Sequence, residues 1–164
     1  MIGGWVWKFG DHINTDLIIP GRCLDDYSAE NLVAHVMEDA DPQFAKQVRK
    51  GDIIVAGRNF GCGSSREQAP LALKYAGVGA VVAGSFARIF FRNAINVGLP
   101  VVICPQAYQV VNAGDKARID LQLGTIEVLG SGQRTTFDPM PDFLMSILRS
   151  GGLVPFTRER LHQK

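Results

Sequence analysis

Apolar positions along this chain fall into short separated runs, and their period changes from one run to the next. Trp5-Val6-Trp7-Lys8-Phe9 predicts an opening strand, ended by the turn pair Gly10-Asp11. Leu17-Ile18-Ile19 is a short apolar run stopped by Pro20-Gly21. Over residues 27–48 the spacing turns helical: Ser28 can cap, Leu32, Val33, Val36 and Met37 follow, and Asp41-Pro42 breaks the pattern before a second short helix around Phe44 and Val48. Residues 52–56 form a buried strand and residues 70–76 a helix. A further strand is expected over 78–83, a helix over 86–97 with Ser85 as its cap and Gly98 as its stop, and a strand over 100–104 limited by Pro105. This alternation of strands and helices predicts an α/β protein with a parallel βαβαβ core and right-handed crossovers. Beyond Gly114-Asp115 the residues alternate over 117–122 and 125–129, with Gly124 in the turn, so antiparallel strands are added to that core. Pro141 opens a final helix through Leu148, ended by Gly151-Gly152.

Composition narrows the class without changing that picture. With 164 residues, 46% hydrophobic and 20% charged, the chain suits a single folded domain over 1–164, with no repeat or linker. A net charge of +1 supplies no field for nucleic acid or an anionic membrane, so any preference for anions must be local. Three scattered cysteines argue against a disulfide framework. With no secretory pattern at the N-terminus and no run of membrane-spanning length, the expected location is cytoplasmic.

The chemistry concentrates in Gly57-Arg58-Asn59-Phe60-Gly61-Cys62-Gly63-Ser64-Ser65-Arg66-Glu67, between a predicted strand and a predicted helix. Open α/β sheets bind ligands at such strand-to-helix loops. Glycine permits close backbone approach, the helix start favours an anion, and Arg66 and Arg58 offer forked donors that match a carboxylate. The spacing does not fit a dinucleotide or phosphate loop. Ser64-x-x-Glu67 also has capping-box spacing, but a cap at Ser64 would put Pro70 inside the helix, so the helix is expected to begin near Glu67.

Residues 59–67 resemble the signature loop of the aconitase swivel domain, in the small-subunit form found in isopropylmalate dehydratase (isomerase) and homoaconitase. Residues 11–20 (Asp-His-Ile-Asn-Thr-Asp-Leu-Ile-Ile-Pro) and 84–93 (Gly-Ser-Phe-Ala-Arg-Ile-Phe-Phe-Arg-Asn) are similar to two more motifs of that family, in the family's order. The resemblance implies a single swivelling β/β/α domain in three layers, working as the small subunit of a heteromeric iron–sulfur hydro-lyase. It implies a large aconitase-like subunit as partner, a 4Fe–4S cluster on that subunit, no cofactor bound by this chain, and a small dicarboxylate substrate. It also implies that Ser64 is the catalytic base, that Arg66 holds a substrate carboxylate with Ser65 and Gly63 contributing, and that Thr15 and Asp16 lie near the reacting centre. Arg22 is placed to reach into the mouth of the site. Glu67 is expected to be structural and to orient Arg66.

Substrate choice in the resembled family lies in the loop that here reads Cys23-Leu24-Asp25-Asp26. An acidic side chain facing the pocket repels a tricarboxylate, which ranks isopropylmalate above homoaconitate. Dimethylmalate, and a non-catalytic anion-binding module, stay open as alternatives. Arg88 and Arg92 lie one helical turn apart, either as a solvated basic edge or as part of a site. His12, His35 and His162 are dispersed, Cys62 reads as loop packing, and no metal-ligand spacing is present.

Overall fold

The computed structural model describes residues 1–163. Seven strands form one hydrogen-bonded sheet: β1 (Ile2–Lys8), β2 (Ile53–Ala56), β3 (Ala80–Ala83), β4 (Val101–Ile103), β5 (Lys116–Asp120), β6 (Thr125–Val128) and β7 (Arg134–Thr136), in the order β4-β3-β2-β1-β5-β6-β7. The first strand serves two halves. Its end, Val6 to Lys8, pairs in parallel with β2, while its beginning, Ile2 to Trp5, pairs antiparallel with β5. The parallel half is the predicted βαβαβ core, and β5, β6 and β7 are the antiparallel addition.

The two faces of the parallel half are buried by different layers, as its continuous apolar strands require. Ile54, Ala56, Val81 and Ala83 point into a core shared with the helices, where Leu32, Phe44, Leu73 and Phe90 are all essentially inaccessible. Their neighbours Ile53, Val55, Ala80 and Val82 point the other way, into a second core with Ala117, Ile119, Ile126 and Val128 of the antiparallel half. Helices, parallel strands and antiparallel strands thus make the three layers. The helical layer is α1 (Thr15–Ile18), α2 (Ala29–His35), α3 (Phe44–Gln47), α4 (Gln68–Tyr75) and α5 (Arg88–Val97), and shorter or later pieces are α6 (Ala107–Val110), α7 (Asp142–Arg149) and α8 (Leu153–His162).

Several boundaries differ from the expectations, each for a local reason. Ser28 does cap α2, accepting from the Asn31 N–H. Ser85 does not cap α5, because Phe86 stays extended to bridge Phe60; the helix waits until Arg88, and the Ser85 hydroxyl accepts from Asn59 N–H instead. The helix over 142–149 is not the last. Gly152 leads directly into α8, where Pro155 falls in the first turn and needs no N–H partner. No residue of α8 is buried, so it leaves no apolar period in the sequence. The one-turn α6 and the three-residue, mostly polar β7 are too short to show a pattern at all.

Asp52 fastens the seam where β1 changes partners. Its carboxylate is 3% exposed and accepts from Trp5 N–H, Trp7 Nε1–H and Arg49 N–H at 3.2, 3.0 and 2.9 Å. Replacing it with alanine strands three donors beside a cleft of about 780 Å³. The expected loss is about 3 kcal/mol of unfolding free energy in a urea titration. A loss below about 1 kcal/mol would mean that water from the cleft satisfies those donors.

Candidate active site

The three motifs at 11–20, 59–67 and 84–93 are far apart in sequence and are brought together by backbone hydrogen bonds. His12 N–H donates to Arg58 O, Gly61 N–H to Ile13 O and Thr15 N–H to Cys62 O, at 2.8, 2.7 and 2.8 Å. On the other side Phe60 N–H donates to Ser85 O and Ala87 N–H to Phe60 O, both at 3.0 Å. Phe60 packs edge-on against Phe86 and Phe90 beneath the loop. Gly61 sits at φ +81° directly over Phe90, where a Cβ would overlap the ring, so only glycine lets the loop lie this close.

Above that floor the loop lifts to the surface. Ser64 and Ser65 are exposed, and Gly63 turns the chain at φ +102°. Helix α4 starts at Gln68 with Glu67 as its N-cap, so Ser64 does not cap it, and Pro70 falls in the first turn. The Ser64 hydroxyl instead lies 3.0 Å from the hydroxyl of Thr15, a buried residue at the start of α1. Asn14 anchors that turn by accepting from Leu17 N–H at 2.8 Å. Among the described residues, the N–H groups of Gly63, Ser64 and Ser65 donate to no protein acceptor. The exposed loop around Ser64 therefore carries donors open to a ligand.

Arg66 is held on the same side. Its guanidinium donates to Asp16 Oδ1 at 3.1 Å and to Ile19 O at 3.2 Å, and its side chain is 25% exposed. Asp16 in turn accepts from Gly21 N–H at 2.8 Å; that bond, together with Arg66, holds its carboxyl below the usual carboxylate range. Orientation of Arg66 was expected from Glu67, but Glu67 is exposed and the work is done by Asp16 from the other motif. The arginine keeps further donors of its planar fork for a carboxylate.

The neighbouring loop departs from expectation. Gly21–Cys23 is a single 3₁₀ turn. Arg22 does not stand free at a mouth: it donates to Asp39 at 2.7 and 2.9 Å and to Glu38 at 2.8 Å, contacts that raise its pKa further, Asp39 contributing most. Those two carboxylates follow α2 and neutralise it. Of the two adjacent acids, Asp26 is a turn residue whose carboxylate accepts from Ser28 N–H at 2.9 Å, while Asp25 is exposed. Leu24 packs against the helical core and Cys23 is half-buried. Arg88 and Arg92 are exposed on α5 and, with Phe86, Phe91 and Ile103, line a cavity of about 420 Å³. No described helix is long and apolar enough to cross a membrane.

Sequence reasoning missed one grouping. Cys23, His35 and Glu38 bring their ligand atoms within 4.8 Å of one another. His35 is separated in the sequence from Cys23, and only the packing of the 3₁₀ turn on α2 brings the two together. Cys62 and Cys104 lie on other elements, Cys104 buried against Thr136 O, so the three cysteines do not converge as the thiolate set of an iron–sulfur cluster.

This architecture and this sequence have close counterparts. Residues 12–106 match the family described as the Aconitase C-terminal domain. The methanogen homoaconitase small subunit of Methanothermobacter thermautotrophicus is 59% identical over 154 residues, covering 94% of this chain and 89% of that protein. The 3-isopropylmalate dehydratase small subunit of Thermodesulfovibrio yellowstonii is 52% identical over 160 residues, covering 98% and 95%. The crystal structure of a 3-isopropylmalate dehydratase chain from Methanocaldococcus jannaschii superposes with a TM-score of 0.93 at 45% identity, covering 99% of this chain and 96% of that one.

Proposed function

This chain belongs to the aconitase C-terminal domain family, and from that premise we propose that it is the small subunit of a heteromeric 3-isopropylmalate dehydratase, interconverting 2- and 3-isopropylmalate by dehydration and rehydration in leucine biosynthesis. The observation that carries the reading is the exposed Ser64 hydroxyl, held by Thr15 beside unpaired N–H groups and a preorganised Arg66. It is half of a site, facing outward. A large aconitase-like subunit carrying a 4Fe–4S cluster would close it, and the cluster iron would supply the Lewis acid for the departing hydroxyl.

The residues of this chain then have defined tasks. Ser64 Oγ, as alkoxide, accepts the proton from the carbon next to the hydroxyl-bearing one and returns a proton on rehydration. An alkoxide is tolerated only among donors, and the loop N–H groups of Gly63 to Ser65 and the Arg66 charge provide them. Arg66 clamps one carboxylate, with Asp16 and Ile19 O fixing its plane.

The loop at 22–26 favours a diacid over a triacid. Its one cation, Arg22, is neutralised by Glu38 and Asp39, and Asp25 is left exposed, so no free positive charge there meets a third carboxylate. The second reading, a homoaconitase small subunit, is favoured by the 59% identical relative.

Reconstitution with the cognate large subunit tests the assignment. The isolated chain is expected to show no turnover, and the assembled complex to convert 2-isopropylmalate with a kcat/KM about tenfold or more above that for homocitrate, as a discrimination of about 1.4 kcal/mol requires. Turnover by the chain alone, or a preference for homocitrate, would overturn it.

A further inference from the structure

Cys23, at the end of the 3₁₀ turn, faces the C-terminal end of α2, where His35 is the last helical residue and Glu38 follows one turn on. We propose that these three side chains form a binding site for a divalent cation of the zinc class, distinct from the Ser64–Arg66 segment and built from the turn before the loop at 22–26 and the end of α2. Three observations support it. The donors are a thiol, an imidazole and a carboxylate, the set that zinc-class ions take, with one position left for water. Their geometry is close to what the ion needs: Cys23 Sγ is 3.8 Å from Glu38 Oε1, and His35 Nδ1 is 2.8 Å from Glu38 Oε2. Ligand atoms of a tetrahedral zinc stand about 3.3–3.6 Å apart, and all three donors already lie within 4.8 Å of one another, so side-chain adjustments of up to about 1.2 Å close the set. Finally, the group lines a cavity of about 310 Å³ together with Arg22, Asp25, Asp26 and Asn31, which gives the ion a path in.

The charges also balance. Cys23 as thiolate and Glu38 as carboxylate neutralise a divalent ion, with neutral imidazole as the third ligand. On binding, the S–H bond breaks and its proton passes to solvent, while the hydrogen bond between His35 and Glu38 is exchanged for two metal bonds. Arg22 lines the same cavity and loses one contact to Glu38, but it keeps both bonds to Asp39, so its charge remains paired. Without metal, burial and the Glu38 charge push the Cys23 thiol up, so binding weakens as pH falls. The ion would tie the turn at 21–23 to the end of α2, and with it the loop at 22–26.

Purified, reduced, metal-free chain titrated with Co²⁺ and then with Zn²⁺ against a chromophoric chelator is the test. Co²⁺ is expected to give a near-ultraviolet thiolate-to-metal band together with intense visible bands of tetrahedral coordination, displaced by Zn²⁺. Cys23→Ser should abolish the thiolate band and weaken Zn²⁺ binding at least about 100-fold, His35→Gln should weaken it about 10- to 100-fold, and Cys62→Ser should change neither. Absence of the band in the wild type, its survival in Cys23→Ser, or unchanged affinity in His35→Gln overturns the proposal. Circular dichroism reports whether Cys23→Ser is folded; if it is not, His35→Gln and Glu38→Gln decide by themselves.

Discussion

Ser64→Ala in the assembled complex is expected to lower kcat by about 10³- to 10⁴-fold, roughly 4–5.5 kcal/mol of transition-state stabilisation. On the proposed mechanism the substitution removes the group that takes the carbon-bound proton, and leaves the binding groups in position. Because that interaction is made only as the proton moves, kcat and kcat/KM should fall together with KM nearly unchanged. Ser64 is exposed and caps no helix, so folding does not depend on it. The neighbour that loses a partner is Thr15, whose buried hydroxyl contributes about 1 kcal/mol to stability at most. Thermal unfolding of the isolated variant separates the two effects. A complex that keeps kcat within about tenfold of the parent, with an unaltered melting temperature, would take the base assignment away from Ser64.

Arg66→Lys is the second large effect, because it retains the charge and removes only the shape. Arginine here donates simultaneously to Asp16 and to Ile19 O, at 3.1 and 3.2 Å, and still presents the rest of a planar fork. A lysine ammonium can replace one of these contacts but cannot span them, and it meets a carboxylate as a point charge. The expected result is a fall in kcat/KM of about 10²- to 10³-fold, carried mainly by KM, with a smaller loss in kcat from a misplaced substrate. Arg66→Ala should be worse. If lysine restored KM to within about threefold of the parent, arginine would be only a fastener between the 11–20 and 59–67 segments, and the carboxylate would have to be held elsewhere.

The strands and long helices were legible because their periods are unmixed: residues 53–56 and 80–83 are continuously apolar, and β5 and β6 alternate cleanly. The loop at 57–67 stood out for a different reason, its density of glycine, serine and arginine between two such elements. What sequence could not show was which distant carboxylate each arginine would meet. Arg66 meets Asp16 rather than its neighbour Glu67, and Glu38 and Asp39 gave no sign that they would capture Arg22. Both outcomes depend on how α1, the 3₁₀ turn and α2 stack, and that packing is set by apolar contacts with no polar signature. The same holds for Cys23, His35 and Glu38, which meet only after folding. Helix α8 escaped because none of its residues is fully buried and only Phe156 packs on the helical core, too little to set a period.

The division of β1 between two partners has a consequence for biogenesis. Val6 finds its parallel neighbour Ile53 early in synthesis, but Ile2 must wait for Ile119. During translation the opening segment therefore leaves the ribosome with half its hydrogen-bonding edge vacant until β5 emerges, and contacts this distant along the chain close slowly. At that point α1 to α5 have been synthesised while β5 to β7 have not. Chaperone dependence is accordingly expected to concentrate at that stage, and a pause placed before β5 is synthesised should prolong it.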